Sequence, residues 1–103
     1  MNHPLLSAHF DFNGQIPLWL ADQERKKITR KFTFVNFEQA FEFMTLVAQY
    51  AQKIDHHPDW SNSWNKVEVQ LSTHSSNGLT ALDVQMAQAM DLFALQVQAS
   101  KAS

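Results

Sequence analysis

The stretch "KITRKFTFVNFEQAFEFMTLVAQYAQKID", from Lys27 to Asp55, predicts a strand that leads directly into a long helix. Its first eight residues alternate, with Ile28, Phe32 and Phe34 on one side, which is the period of a half-buried strand. After Asn36 the spacing changes to three and four residues, which predicts an amphipathic helix of about five turns. Its apolar positions are Phe37, Ala40, Phe41, Met44, Val47, Ala48, Ala51 and Ile54. Asn36 is the expected N-cap, with Gln39 as its capping-box partner.

The segments on either side of this stretch complete a fold. Residues 16–21, "IPLWLA", predict a short strand that forms a hairpin with the strand after it. Residues 1–15 have the weakest pattern and are expected to form a short helix, an irregular arm or a partly disordered segment. Downstream, "DWSNSW" and "KVEVQLSTH" predict a second hairpin with Asn65 near its turn. The loop "SSNG" follows, in which Gly78 can supply a left-handed conformation.

The last periodic segment, "TALDVQMAQAMDLFALQV", predicts a closing helix with Thr80 as N-cap and Asp83 as its capping-box partner. Its expected apolar stripe consists of Leu82, Met86, Ala89, Met90 and Phe93. The order of elements is therefore ββαββα. Two helices over one face of a four-stranded, mostly antiparallel sheet bury both stripes, so we expect a two-layer α+β fold in one domain over residues 1–103.

Composition excludes several classes of protein. The formal net charge of −2 argues against a module that binds nucleic acid by neutralising phosphates. The chain has no cysteine, so disulfides, thiolate metal sites and thiol catalysis are excluded. The N-terminus lacks the pattern of a secretory signal, and no apolar run approaches the roughly 20 residues that span a bilayer. We expect a soluble, cytoplasmic protein.

The stretch from Lys53 to His74 holds three of the five histidines. Pro58 disfavours helical geometry in the residue before it, so His56 and His57 are expected where the long helix ends. His74 is expected at the end of the last strand. In a two-layer fold these places can converge, and imidazoles transfer protons near neutral pH.

Aromatic and acidic residues accompany these histidines. Trp19, Trp60 and Trp64 can stack on a flat ligand, and a carboxylate such as Asp55 can fix the tautomer of an imidazole. Simpler interpretations exist for every one of them. Adjacent histidines in a loop are commonly exposed polar residues, tryptophans commonly belong to a core or interface, Asp83 can be only a helix cap, and Asp55 only a solvated charge.

Two other chemistries have weaker support. Three histidines could hold zinc with an open fourth position, but adjacent side chains usually diverge and no H-x-H or H-x3-H spacing is present. Serines near His74 lack a nucleophile elbow, and there is no glycine-rich phosphate loop.

The motifs "DHHPDW", "WNKVEVQLSTH" and "GLTALD", in this order and spacing, resemble the signature of the pterin-4a-carbinolamine dehydratases. The resemblance extends from Trp19 to Asp91 and is strongest from Ile54 to Asp83. It implies a small α+β fold that forms dimers and often tetramers. It also implies dehydration of 4a-hydroxytetrahydropterin to quinonoid dihydropterin, in pterin recycling after aromatic amino acid hydroxylation, without a metal or cofactor.

The resemblance also implies a set of site residues. His56, His57 and His74 match the catalytic histidines, and we expect His56 and His74 to be the acid–base pair and His57 to bind and orient the substrate. The supporting residues expected around them are Asp55, Gln52, Trp19, Trp60 and Asp83.

The chain departs from the family pattern at Gln52, where the family often has Glu, at Trp64, where Tyr is common, and in its short N-terminal arm. A glutamine can hydrogen-bond but cannot carry charge. Two other functions therefore stay open. One is a protein-interaction module of the same fold, since members of the family in animals also serve as the dimerisation cofactor of a homeodomain transcription factor. The other is a pterin role in folate or molybdopterin metabolism. An exposed strand edge would favour pairing of two copies.

Overall fold

The expected order of strands and helices is confirmed in a computed structural model, which describes residues 3–100 except for the side chain of Ser100. Met1, Asn2 and residues 101–103, which belong to the expected arm and domain, lie outside the described residues. The elements are α1 (Phe12–Gln15), β1 (Leu20–Ala21), β2 (Ile28–Thr33), α2 (Phe37–Ile54), β3 (Asp59–Ser63), β4 (Lys66–Leu71), a 3₁₀ helix (His74–Ser76) and α3 (Ala81–Ser100). None of the described helices is long and apolar enough to cross a membrane.

The sheet is antiparallel throughout, with the strand order β1-β2-β4-β3. Val69, in the middle of β4, lies opposite Arg30 of β2 and Trp60 of β3. Along β4, Val67, Val69 and Leu71 are buried, and the residues between them point to the other face. Alternation along this strand therefore assigns one face of the sheet to the core, as the sequence predicted, and α2 and α3 cover it. The α+β prediction is confirmed.

The core centres on aromatic packing between the sheet and α2. Phe43 has no exposed surface, and its ring lies 4.7 Å from that of Phe32 and 5.0 Å from that of Phe34, centroid to centroid. Truncating such a buried ring to Ala typically costs about 3–5 kcal/mol. Asn36 caps the helix as predicted, because its side chain accepts the Gln39 amide hydrogen. The Gln39 side chain reaches back to the backbone N–H of Val35.

The predicted apolar stripe of α2 was wrong in part. The buried apolar residues are Ala40, Phe43, Val47 and Ala51, whereas Phe37, Phe41 and Ala48 are exposed. The helix carries apolar residues on two sides, and only one side can face the sheet. Phe37 and Phe41 contact each other on the outer side with 45% and 57% of their surface exposed, which leaves an uncovered apolar stripe.

Two other local predictions were wrong. The first strand includes only Leu20 and Ala21, because Pro17 has no N–H to donate and Trp19 N–H closes a turn onto Ile16. In the loop before α3 the left-handed residue is Asn77, with φ 55°, and no glycine has positive φ. A Cβ at Gly78 would lie 2.9 Å from a methyl group of Leu5, at the end of a mostly exposed side chain that can move aside.

Candidate active site

The end of α2 separates the two adjacent histidines. Asp55 adopts a left-handed conformation at φ 54°, and the backbone N–H groups of Asp55 and His56 both bond to the Ala51 carbonyl. Pro58 then prevents the helix from continuing. The turn directs the two imidazoles apart, so that His56 is buried and His57 is exposed. Their Nε2 atoms have different partners, Asp83 and Gln52.

His56 is paired with a buried carboxylate. Its Nε2 lies 2.7 Å from Oδ1 of Asp83, which has no exposed surface. The other oxygen of Asp83 accepts from two donors, as a carboxylate does, and a carboxylate can only accept. Nε2–H of His56 therefore donates to Oδ1 of Asp83. This arrangement fixes the tautomer of His56 and leaves Nδ1 as its acceptor nitrogen.

Asp83 also holds the start of α3. Its Oδ2 accepts the Thr80 backbone N–H at 3.0 Å and the Thr73 hydroxyl at 2.8 Å. The Thr80 hydroxyl must then donate to Thr73, at 2.7 Å, while it accepts the Leu82 amide hydrogen at 3.2 Å. Asp83 therefore bonds to the backbone of Thr80 as the predicted capping box requires, whereas the Thr80 hydroxyl accepts from Leu82 rather than from the Asp83 N–H. The same carboxylate joins the start of α3, the end of β4 and His56.

His57 and His74 lie in more open surroundings. The His57 Nε2 atom is 2.8 Å from the side-chain oxygen of Gln52, one and a half turns earlier on α2. His74 is on the 3₁₀ helix rather than in β4, which ends three residues before it. Its side chain is 84% exposed, and its Nε2 lies 3.6 Å from a carboxylate oxygen of Asp59. This separation is longer than that of a direct hydrogen bond.

A cleft of about 430 Å³ brings the three histidines together. The residues that line it are His3, Asp55, His56, His57, Ser72, Thr73, His74, Ser75 and Leu82. The lining combines imidazoles, hydroxyl groups and one carboxylate, with an apolar contact from α3. Such a cleft can bind a polar, flat ligand and exchange protons with it.

Several of the expected site residues lie outside this cleft. Trp19 is buried in the core, where its indole N–H donates to Asp91 at 2.9 Å. Trp60 packs partly on the core and borders another concavity, of about 760 Å³, over the helix-free face of the sheet. Trp64 is exposed at the β3–β4 turn. Gln52 and Asp83 act on the cleft through His57 and His56, without lining it.

Sequence reasoning missed five residues of the lining and one neighbour of His74. Four of the five lie within two residues of a predicted one, so their neighbours gave a usable signal: Ser72, Thr73, Ser75 and Leu82. His3 and Asp59 gave none, because His3 is far away in sequence and Asp59 reaches His74 only through the pairing of β3 with β4. Among residues 3–100 there is no group of three or more potential ligands arranged around a metal site.

Two curated relatives of this chain carry the same provisional name. A protein of Bordetella avium (strain 197N), provisionally named pterin-4-alpha-carbinolamine dehydratase, is 48% identical over 87 residues, which are 84% of this chain and 81% of that protein. A protein of Rhizorhabdus wittichii with the same provisional name is 52% identical over 79 residues, which are 77% of this chain and 81% of that protein.

Solved structures give the same result for the fold. The crystal structure of a transcriptional coactivator/pterin dehydratase from Brucella melitensis matches with a TM-score of 0.80 and 42% identity, covering 88% of this chain and 99% of that one. A pterin dehydratase-like protein identified as a RuBisCO assembly factor in the alpha-carboxysome matches with a TM-score of 0.66. Its identity is 17%, with coverage of 78% of this chain and 93% of that one, so it shows the fold alone.

The family profile matches residues 6–93, which include the cleft residues from Asp55 to Leu82. On this match and these relatives, the chain belongs to the pterin 4 alpha carbinolamine dehydratase family.

Proposed function

We propose that this protein dehydrates 4a-hydroxytetrahydropterin to quinonoid dihydropterin by histidine acid–base catalysis, in tetrahydropterin recycling. The observation that carries the proposal is the His56–Asp83 pair at 2.7 Å, next to a cleft that also holds His57 and His74. Family membership supports the reaction class. The pair supports the mechanism, because a histidine of fixed tautomer has one free nitrogen for proton transfer.

The reaction requires two proton transfers and no change of oxidation state. The carbon–oxygen bond at C4a breaks as an acid protonates the departing hydroxyl group, which leaves as water. A base removes the proton of the neighbouring ring nitrogen, and a carbon–nitrogen double bond forms. A positioned acid or base typically contributes about 10²- to 10⁴-fold to such a step.

In this mechanism His56 is the base, since its free Nδ1 accepts the ring proton while Asp83 stabilises the imidazolium that results. His74 is the acid at the departing hydroxyl group, and a carboxylate oxygen of Asp59 lies 3.6 Å from its Nε2. His57 binds and orients the pterin ring. The side-chain amide of Gln52 holds His57 without adding charge.

Freshly generated 4a-hydroxytetrahydropterin tests the proposal, with formation of the quinonoid product followed by absorbance. Wild-type protein should accelerate the reaction well beyond the triple variant His56→Ala, His57→Ala and His74→Ala. The single variants His56→Ala and His74→Ala should each lose about 10²-fold or more. His9→Ala is the matched control, because His9 is exposed and outside the cleft. Wild-type protein no faster than the triple variant would refute the proposal.

A second candidate function is a protein-interaction module, which the uncovered stripe of Phe37 and Phe41 favours. One relative of this chain in structure is described as a transcriptional coactivator/pterin dehydratase. Self-association into dimers or tetramers would be the simplest use of such a surface. Sedimentation equilibrium of wild-type protein and Phe41→Ser tests this. A monomer in both cases excludes self-association through the stripe, and an assembly that survives Phe41→Ser places the interface elsewhere.

A further inference from the structure

The N-terminal arm, residues 3–10, is attached to the same 3₁₀ helix that carries His74. The Ser76 hydroxyl donates to the His3 carbonyl at 2.5 Å. Two residues further on, Leu5 forms an antiparallel bridge with Thr80, and the Leu6 N–H donates to the Leu79 carbonyl at 2.9 Å. The beginning of the arm therefore lies beside the loop between β4 and α3.

Contacts with the loop after β4 and with the turn between β1 and β2 also hold the arm in place. The side chain of Leu5 occupies the space over Gly78, where a Cβ would come within 2.9 Å of its methyl group. Arg25 donates to the carbonyl oxygens of Ala8, at 2.9 Å, and of Ser7 and Phe10, each at 3.4 Å. Hydrogen bonds from several elements give the arm a definite position.

This position makes His3 part of the histidine cleft. His3 is partly buried and lines the cleft together with His56, His57 and His74. Pro4 restricts the residue before it to an extended backbone, which reduces the freedom that His3 would lose on binding a ligand. His3 precedes the residues that match the family profile, 6–93.

We propose that the arm is a wall of the active site and that His3 contacts the bound pterin directly, as a fourth imidazole used for binding rather than for proton transfer. The proposal rests on the proposed function for the identity of the ligand. A pterin ring presents donors and acceptors along its edge and a flat apolar face. An imidazole can meet either one, because it offers a donor, an acceptor and an aromatic surface.

The test measures binding and turnover separately in the full chain. Binding of 7,8-dihydrobiopterin, a bicyclic pterin without the 4a-hydroxyl group, is measured by titration calorimetry, and dehydration by steady-state kinetics. His3→Ala should raise both Kd and KM about fivefold, the ratio expected for the loss of one net hydrogen bond, with kcat within about twofold of wild type. His3→Gln, which keeps a donor and an acceptor, should recover part of the affinity. The matched control is His9→Ala on the same arm, which should bind as wild type does.

A second variant connects the effect to the attachment of the arm. Ser76→Ala removes the hydrogen bond to the His3 carbonyl, so it should weaken binding in the same direction as His3→Ala. The double variant should bind no more weakly than His3→Ala alone, because both changes remove one contact with the ligand. Fully additive effects would contradict this relation between Ser76 and His3.

The possible outcomes separate this inference from the proposed function. Active wild-type protein whose Kd and KM do not change in His3→Ala overturns the role of His3 and leaves the dehydratase proposal intact. Wild-type protein that binds dihydrobiopterin without turnover overturns the proposed reaction, and the Kd of His3→Ala then decides the inference. Wild-type protein that neither binds nor turns over overturns both.

Discussion

Replacing Asp83 with Asn should abolish most of the activity while the protein stays folded. In the wild-type protein Oδ2 of Asp83 accepts two hydrogen bonds, from the Thr80 N–H and the Thr73 hydroxyl, and Oδ1 accepts a third from His56. An asparagine oxygen in the Oδ2 position keeps the first two. The amide NH₂ group then faces Nε2 of His56 and must donate to it. The opposite orientation of the amide would place NH₂ against the Thr80 N–H, so that two donors meet.

The expected consequence is a change of tautomer. With Nε2 accepting from the amide, the proton of neutral His56 moves to Nδ1, the nitrogen that faces the ligand in the proposed mechanism. His56 can then no longer act as the base, and the rate should fall by about 10²- to 10⁴-fold. Since all three polar contacts persist in neutral form, Asp83→Asn should lose only about 1–2 kcal/mol of stability.

Asp83→Ala is the comparison that separates structure from chemistry. It leaves buried groups of Thr73, Thr80 and His56 without a partner, so the loss should reach about 3–5 kcal/mol. Urea unfolding measures stability, ¹⁵N shifts of the imidazole report the tautomer, and quinonoid formation gives the rate. Asp91→Asn is the matched control, because Asp91 is a second carboxylate of α3, is partly buried and lies outside the cleft. Asp83→Asn with Nδ1 protonated but more than a tenth of the wild-type rate would refute the tautomer argument.

Three smaller changes test other parts of the structure. Gln52→Glu keeps an acceptor for His57 and adds a negative charge at an exposed pair. We therefore expect the rate to change by less than about fivefold. A larger gain would show that the glutamine limits the rate of the wild-type protein. Asn77→Ala should lower the free energy of unfolding in urea by about 1–2 kcal/mol, because residue 77 has a left-handed backbone, and Asn77→Gly should not lower it. Equal losses in both variants would show that the asparagine side chain, rather than the backbone conformation, stabilises the loop. Trp19→Phe removes the hydrogen bond to Asp91 and should cost about 1 kcal/mol, with the rate within twofold of wild type. A large loss of rate would show that Trp19 contributes to the reaction despite its place in the core.

Sequence patterns predicted the elements well where a local signal determines them. Asn36 and Thr80 correctly predict where the two long helices begin, because the side chain of each accepts a backbone N–H only a few positions away. The alternation of Val67, Val69 and Leu71 assigned a face of β4 correctly for the same reason. Those signals require no knowledge of the rest of the fold.

The misses concern contacts between distant segments. α2 carries apolar residues on two sides, so only the position of the sheet shows that Phe43 is in the core and Phe41 is not. Trp19 was expected at the site, and its partner Asp91 lies 72 residues away. His3 belongs to the cleft only because Ser76 and the loop after β4 hold the arm there. Periodicity and capping contain no information on such contacts.

The two uses of Asp83 affect how related sequences should be interpreted. This carboxylate completes the cap of α3 and holds Thr73, so a descendant that lost the reaction would still be under selection to keep it for folding. The mostly exposed His74 has only a loose contact with Asp59, and its loss would affect folding little. An aspartate at the position of Asp83 is therefore weak grounds for inferring activity in a homologue. A histidine at the position of His74 is stronger grounds, because the fold gives little reason to preserve it.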